Sequence, residues 1–141
     1  MYNILKSPMH KSIAFIEKDS GDPERRFSYD IFWNGQKIGY FETQIDYINI
    51  DTGERAYTVY EMKLNKGYRR KGIGSMILRK CEALAQDLNL YKVICKVETI
   101  DEETTNDDLE KFYLKNGYQL TTDLDDSHDL FALKVLKNEK R

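Results

Sequence analysis

The sequence predicts an α+β fold: a mixed, mostly antiparallel twisted sheet with one parallel strand-helix-strand crossover and helices on its faces. Three observations carry this. Asn34-Gly35 lies between two runs of aromatic and branched residues, and that dipeptide favours the positive backbone angles of a tight hairpin. After Gly72 the apolar spacing changes to three and four residues, which puts Ile73, Ile77, Cys81, Leu84, Ala85 and Leu88 on one helical stripe. The buried-strand pattern "YKVICKV", Tyr91 to Val97, follows that helix, and strand, helix, strand with a helix of this length gives a parallel crossover.

The remaining elements follow in order. "SIAFIEK", Ser12 to Lys18, is a short β-prone run that ends in the turn-rich "DSGDPERR". Strands over Phe27 to Trp33 and Gln36 to Ile50 flank the hairpin turn, and Asp51-Thr52-Gly53 returns the chain into a fourth strand, Ala56 to Leu64. The first half is therefore a four-stranded meander. Beyond the crossover, Asn106 is the expected cap of a second helix, Asp107 and Asp108 suit its positive end, and Gly117 ends it. "YQLTTD" and "DLFALKVL" supply a closing antiparallel pair.

A chain of 141 residues, 40% hydrophobic and 33% charged, suffices for one compact domain, expected to span residues 1–141. The net charge of −2 argues against bulk affinity for nucleic acid or membrane. No stretch has the length of a signal-peptide core or a membrane span, which leads to an expected cytoplasmic location. Cys81 and Cys95 share no metal-binding or redox spacing and read as buried free thiols. His10 and His128 lack partners at ligand spacing, so no metal site is expected.

"GYRRKGIGSM", Gly67 to Met76, places Gly72 and Gly74 directly behind three cations at the start of a helix. A strand that ends in such a turn presents unpaired amides at the positive end of the helix, an arrangement suited to phosphate. Glycines there would let a ligand approach where a Cβ would collide, and Arg69, Arg70 and Lys71 add charge. Neither G-x-x-x-x-G-K-[ST] nor G-x-G-x-x-G occurs, so the common nucleotide loops are missing.

What does fit is Q/R-x-x-G-x-G/A, here Arg69-Arg70-Lys71-Gly72-Ile73-Gly74. This resembles the acyl-coenzyme A signature of the GNAT superfamily of N-acetyltransferases. The resemblance extends to the strand "YTVYEMKL" before it and to "NDDLEKFYLKNGY" after it. That second segment is similar to the family's N-x-x-A-x-x-h-Y-x-x-x-G-[FY], matched at Asn106, Phe112, Tyr113, Gly117 and Tyr118, with Leu109 in place of the small residue. "WNGQKIGYF" looks like its second hairpin, so residues Phe27 to Leu136 are covered.

The resemblance implies a GNAT-like sheet and transfer of an acetyl group from acetyl-CoA to a primary amine by direct attack on the thioester. Main-chain groups of Met62, Lys63 and Leu64 would pair with the pantetheine arm where two parallel strands splay. Amides of Arg70, Lys71, Gly72, Ile73, Gly74 and Ser75 would hold the pyrophosphate, the side chains of Arg69 and Lys71 would reach phosphates, and Asn106 would bond the pantetheine region. Tyr113 stands where the family commonly places the acid that protonates the departing thiolate. An alkylamine with a pKa near ~10 must first lose a proton. Glu61 and Glu98 are the candidate bases, with alternation placing Glu61 on the face opposite Met62 and Leu64.

The chain also departs from the family. Two helices normally follow the first strand and wall the acceptor site, and here only "DSGDPERR" separates Lys18 from Phe27. The acceptor side is then open to a bulky amine, small molecule or peptide, or completed by a second subunit in a homodimer. Asp101, Glu102, Glu103, Asp107 and Asp108, with Asp123, Asp125, Asp126 and Asp129, would form an acidic rim that concentrates cationic amines. Two other classes compete: a non-catalytic acyl-CoA-binding or regulatory module, and a nucleic-acid binder using "KGYRRK", a patch too short and too diluted by acid to carry affinity.

Overall fold

The computed structural model describes residues 13–18, 26–68, 72–98 and 104–137. Along the chain they form β1 (Ile13–Lys18), β2 (Arg26–Trp33), β3 (Gln36–Asn49), β4 (Glu54–Leu64), α1 (Ile73–Asp87), β5 (Lys92–Lys96), α2 (Asn106–Lys115), β6 (Gln119–Thr121) and β7 (Phe131–Val135). The strands join in one sheet, order β1-β2-β3-β4-β5-β7-β6. Among the described strands only β4 and β5 pair in parallel, through Tyr57↔Val93, Thr58↔Ile94 and Val59↔Cys95. The expected meander, crossover and closing pair are thus present. Ser12, His10 and the segment 19–25 lie outside the described residues.

Local chemistry explains the boundaries. Asn34 and Gly35 both have positive φ, 51° and 85°, as a two-residue turn of the right twist requires. At the end of α1, Asn89 takes the left-handed conformation and Leu90 N–H reaches back to the Ala85 carbonyl at 2.8 Å. Leu88 is therefore the capping residue and 39% exposed rather than part of the buried stripe, while Leu78 is fully buried. The cap of α2 also differs from the expectation. Thr105, not Asn106, holds the N-cap: its hydroxyl accepts from Asp108 N–H at 3.1 Å, and the Asp108 carboxylate accepts from Thr105 N–H. Thr-x-x-Asp makes a reciprocal pair that Asn106 cannot, so Asn106 becomes the first helical residue. Gly117, with φ 92°, ends the helix as expected, and Tyr118 N–H bonds the Tyr113 carbonyl.

Both described helices lie on one face of the sheet. Register puts Val59, Cys95 and Ala132 on that face, where they join Ile73, Ile77 and Cys81 of α1 and Tyr113 of α2 in one core. Tyr57 is its largest fully buried side chain, and its phenol accepts from Thr43 Oγ1 at 2.8 Å. Each such burial contributes about 1.5–3 kcal/mol. A polar staple binds the helices to the sheet: Tyr118 Oη, Arg79 Nη2 and Lys134 Nζ all donate to Glu82 Oε2, at 2.8, 3.0 and 3.3 Å. Arg79 and Lys134 also reach the Asn116 carbonyl. Three donors on one carboxylate leave no buried charge uncompensated. Cys81 and Cys95 are free and buried, as the sequence predicts.

Candidate active site

The site begins where β4 and β5 part. Their parallel register ends at Val59↔Cys95; β4 runs on to Leu64 beside β3, while β5 stays with β7. Beyond that point no described strand pairs with the edge of β4 that faces β5.

A β-bulge sets which side chains meet this gap. The β3–β4 register passes from Thr43↔Val59 to Glu42↔Glu61, leaving Tyr60 unpaired. Strict alternation from Tyr57 and Val59 would turn Glu61 into the core. With the extra residue, Met62 and Leu64 face inward, and Tyr60 and Glu61 face the side away from the helices. There Tyr60 Oη donates to Asp46 at 3.2 Å and Tyr40 Oη donates to Glu61 Oε2 at 2.6 Å. The bond to Glu61, ahead of burial, pushes the Tyr40 phenol up to about 12. The signal is legible in "YTVYEMKL", where apolar residues sit at 57 and 59 but then at 62 and 64, a slip of one.

A cavity of about 680 Å³ fills the gap. It gathers Met62, Lys63 and Leu64 of β4, Gly72, Gly74 and Ser75 at the start of α1, and Tyr113 of α2. Glu61 and Glu98 lie on its wall too. Ile73 buries its side chain completely in the core and does not line the cavity. Asn106 is exposed at the first position of α2 and does not line the cavity. Arg69, Arg70 and Lys71 lie outside the described residues, as do Asp101, Glu102 and Glu103. Lys96, Lys111 and Lys115, which pattern reading did not single out, also form the wall. Among the described residues no cluster of His, Cys, Asp or Glu could hold a metal ion, and no helix is long and apolar enough to cross a membrane.

The two glycines have different reasons. Gly72 caps α1 at φ 82°, with no side-chain cap and no acid in the first turn. A Cβ there would meet nothing within 4 Å, so the conformation requires glycine and the space above it stays open. Gly74 is a packing residue: its Cβ would lie 3.0 Å from the Phe112 ring. Gly72 is therefore explained by its backbone conformation beside open space, and Gly74 by its packing on Phe112. Gly72, Gly74 and Ser75 bring the start of α1 to the cavity, and the first turn of the helix carries no acid of its own.

Tyr113 is 5% exposed, edge-on to Phe112 and Tyr118, with its hydroxyl directed to the Cys95 thiol. Burial, then Cys95, raises its phenol well above the ordinary value, so it stays protonated at neutral pH. Glu98 differs from Glu61: it is largely exposed and tied to Lys96 at 3.2 Å. Three of the described acids of the expected rim have local partners. Asp108 caps α2, Asp125 binds Ser127, and Asp129 sits 3.6 Å from Lys96.

Comparison with known proteins agrees with this geometry. No curated protein matches the chain. Among solved structures, the PaiA N-acetyltransferase of Thermoplasma acidophilum in complex with coenzyme A is 20% identical, with a TM-score of 0.63 over 82% of this chain. This chain spans 64% of the length of that protein. A GNAT family acetyltransferase of Elizabethkingia anophelis with acetyl-CoA bound is 13% identical (TM-score 0.62; 88% of this chain, 98% of that one). A GNAT family acetyltransferase of Staphylococcus aureus is 18% identical (0.63; 89% and 100%). At these identities the likeness is one of fold. The Acetyltransferase (GNAT) family model matches residues 2–118, most of the 141-residue chain, and with the splayed strands and open helix start this places the protein in the GNAT acetyltransferase family.

Proposed function

We propose that this protein is an N-acetyltransferase that moves the acetyl group of acetyl-CoA to a primary amine. The observation that carries the reading is the convergence on one cavity of a strand edge that parts from its parallel neighbour, a helix start without a side-chain cap, a protonated tyrosine and a carboxylate. The residues present fit the coenzyme: a long gap beside Met62 to Leu64 suits an amide-bearing arm, and the amides of Gly72 to Ser75 suit a diphosphate. When bound, acetyl-CoA supplies a thioester as the electrophile.

Glu61 is the base the geometry favours. Tyr40 fixes one of its oxygens at 2.6 Å, and Glu61 carries no ion pair among the described residues, whereas Glu98 is engaged by Lys96. A carboxylate so held takes a proton from an amine arriving on the side away from the helices. Tyr113 Oη then turns its single proton from the Cys95 thiol to the departing sulfur and donates a hydrogen bond to it. A phenol raised by burial is a weaker acid than a thiol of ordinary pKa about 8.5, so the bond stabilises the thiolate and water delivers the net proton.

Calorimetric titration with acetyl-CoA, with ATP as control, tests the groove, and thiol release against a panel of amines tests transfer. Tyr113→Phe is expected to slow thiol release about 100-fold with acetyl-CoA affinity within twofold. An unchanged rate would return Tyr113 to the core as a packing residue. Glu61→Gln is expected to lower turnover by a similar factor of about 100, again without loss of coenzyme affinity; full activity in it would remove Glu61 as the base. Selective binding of acetyl-CoA with no transfer to any amine would favour the non-catalytic acyl-CoA-binding module.

A further inference from the structure

Two cations on the cavity wall have no partner among the described residues. Lys111 and Lys115 of α2 are exposed, line the cavity, and make no ion pair or hydrogen bond among the described residues. Lys96, on the same wall, is by contrast tied to Glu98 and Asp129. Lys111 and Lys115 are four residues apart, so they sit one above the other on the same helix face, where like charges repel and weaken the helix. An anion between them would reverse that sign. Their place in the fold is fixed by Phe112, whose ring packs against Gly74, so that α2 lies directly against the first turn of α1. A nucleotide whose diphosphate sits on the α1 amides therefore has these two ammonium groups within reach of any further phosphate it carries.

We infer that Lys111 and Lys115 form a second phosphate site that takes the 3′-phosphate of coenzyme A, making the protein selective for the 3′-phosphorylated coenzyme over its dephosphorylated form. The inference rests on the coenzyme A reading of the groove. Coenzyme A and dephospho-coenzyme A share the pantetheine arm, the diphosphate and the adenine, and differ only in the group these lysines would hold. The diphosphate remains the ligand of the helix start, and the lysines supply charge without which the smaller ligand still binds.

Calorimetric titration of the full chain with both ligands at low ionic strength, repeated on the double variant Lys111→Gln/Lys115→Gln, separates the possibilities. The wild-type protein is expected to bind coenzyme A about tenfold more tightly than dephospho-coenzyme A, equivalent to about 1.4 kcal/mol. In the double variant that ratio falls to within about twofold, because coenzyme A weakens and dephospho-coenzyme A does not. Equal affinity of the wild type for the two ligands overturns the inference while leaving the groove intact. So does a variant that weakens both alike, since the lysines would then serve the diphosphate. Binding of neither ligand to the wild type overturns the coenzyme reading itself and this site with it.

Discussion

Gly72→Glu is expected to lower acetyl-CoA affinity at least ~100-fold, about 2.7 kcal/mol, while leaving the fold nearly as stable as before. The two effects separate because of where residue 72 sits. Its φ of 82° costs any L-residue about 1 kcal/mol. A carboxylate beside the first turn of α1, which has no acid of its own, recovers about 0.3–1 kcal/mol from the helix dipole. No atom within 4 Å would obstruct the new Cβ, so the side chain enters the cavity rather than the core. There it would occupy the positive end of α1 with its own negative charge and exclude a diphosphate. Gly72→Ala is the control: it carries the same backbone cost with neither the charge nor the length, and is expected to weaken binding less than tenfold. Calorimetry and thermal melts on the two variants check both halves. Binding by Gly72→Glu within threefold of wild type would show that the phosphates lie elsewhere.

Most of the fold was legible because each element has a local cause. Asn34-Gly35, the stripe from Ile73 and the strand-helix-strand order depend on residues close in sequence, and they survive into the structure, the stripe without its last member Leu88. Less legible were features decided by competition or by contacts across the fold. Thr105 displaces Asn106 at the cap because Asp108 is placed to reciprocate, a pairing visible only when both ends of the motif are weighed. The face on which both helices lie follows from contacts such as Tyr118 to Glu82, 36 residues apart, which no window of sequence contains.

The same division runs through the candidate site. Residues on the β4 edge and at the α1 start come together because one chain reversal, strand to turn to helix, brings them there. Lys111 and Lys115 are silent in the sequence because two lysines on an amphipathic helix look like any solvated face. Only the packing of Phe112 on Gly74 turns that face toward the cavity. Tyr40 likewise acquires a role through register: Tyr40↔Lys63 and Glu42↔Glu61 set its phenol within reach of the carboxylate on the next strand.

Gly39→Ala is expected to be the most destabilising single-methyl change at any described glycine, and to damage binding as well. Gly39 lies in β3 opposite Leu64. A Cβ there would fall 2.2 Å from the Lys63 carbonyl oxygen and 3.1 Å from Leu64 Cα. Both obstacles are backbone and cannot rotate aside, so β3 and β4 must separate where Asn65 N–H meets the Ile38 carbonyl at 2.7 Å. The expected cost is about 3 kcal/mol, roughly 10 °C in melting temperature for a chain of this size. Because the atoms displaced belong to Lys63 and Leu64, acetyl-CoA affinity falls in the protein that remains folded. Gly53→Ala separates crowding from backbone strain: its φ is 76° with nothing within 4 Å, so it loses about 1 kcal/mol and leaves binding untouched. A melting temperature for Gly39→Ala within 2 °C of wild type would mean that the strands yield there at little cost. If instead it melts early and binds weakly, the width of the splay is set from its far side, by a missing side chain on β3 that lets β4 lie close enough to present its edge to a ligand.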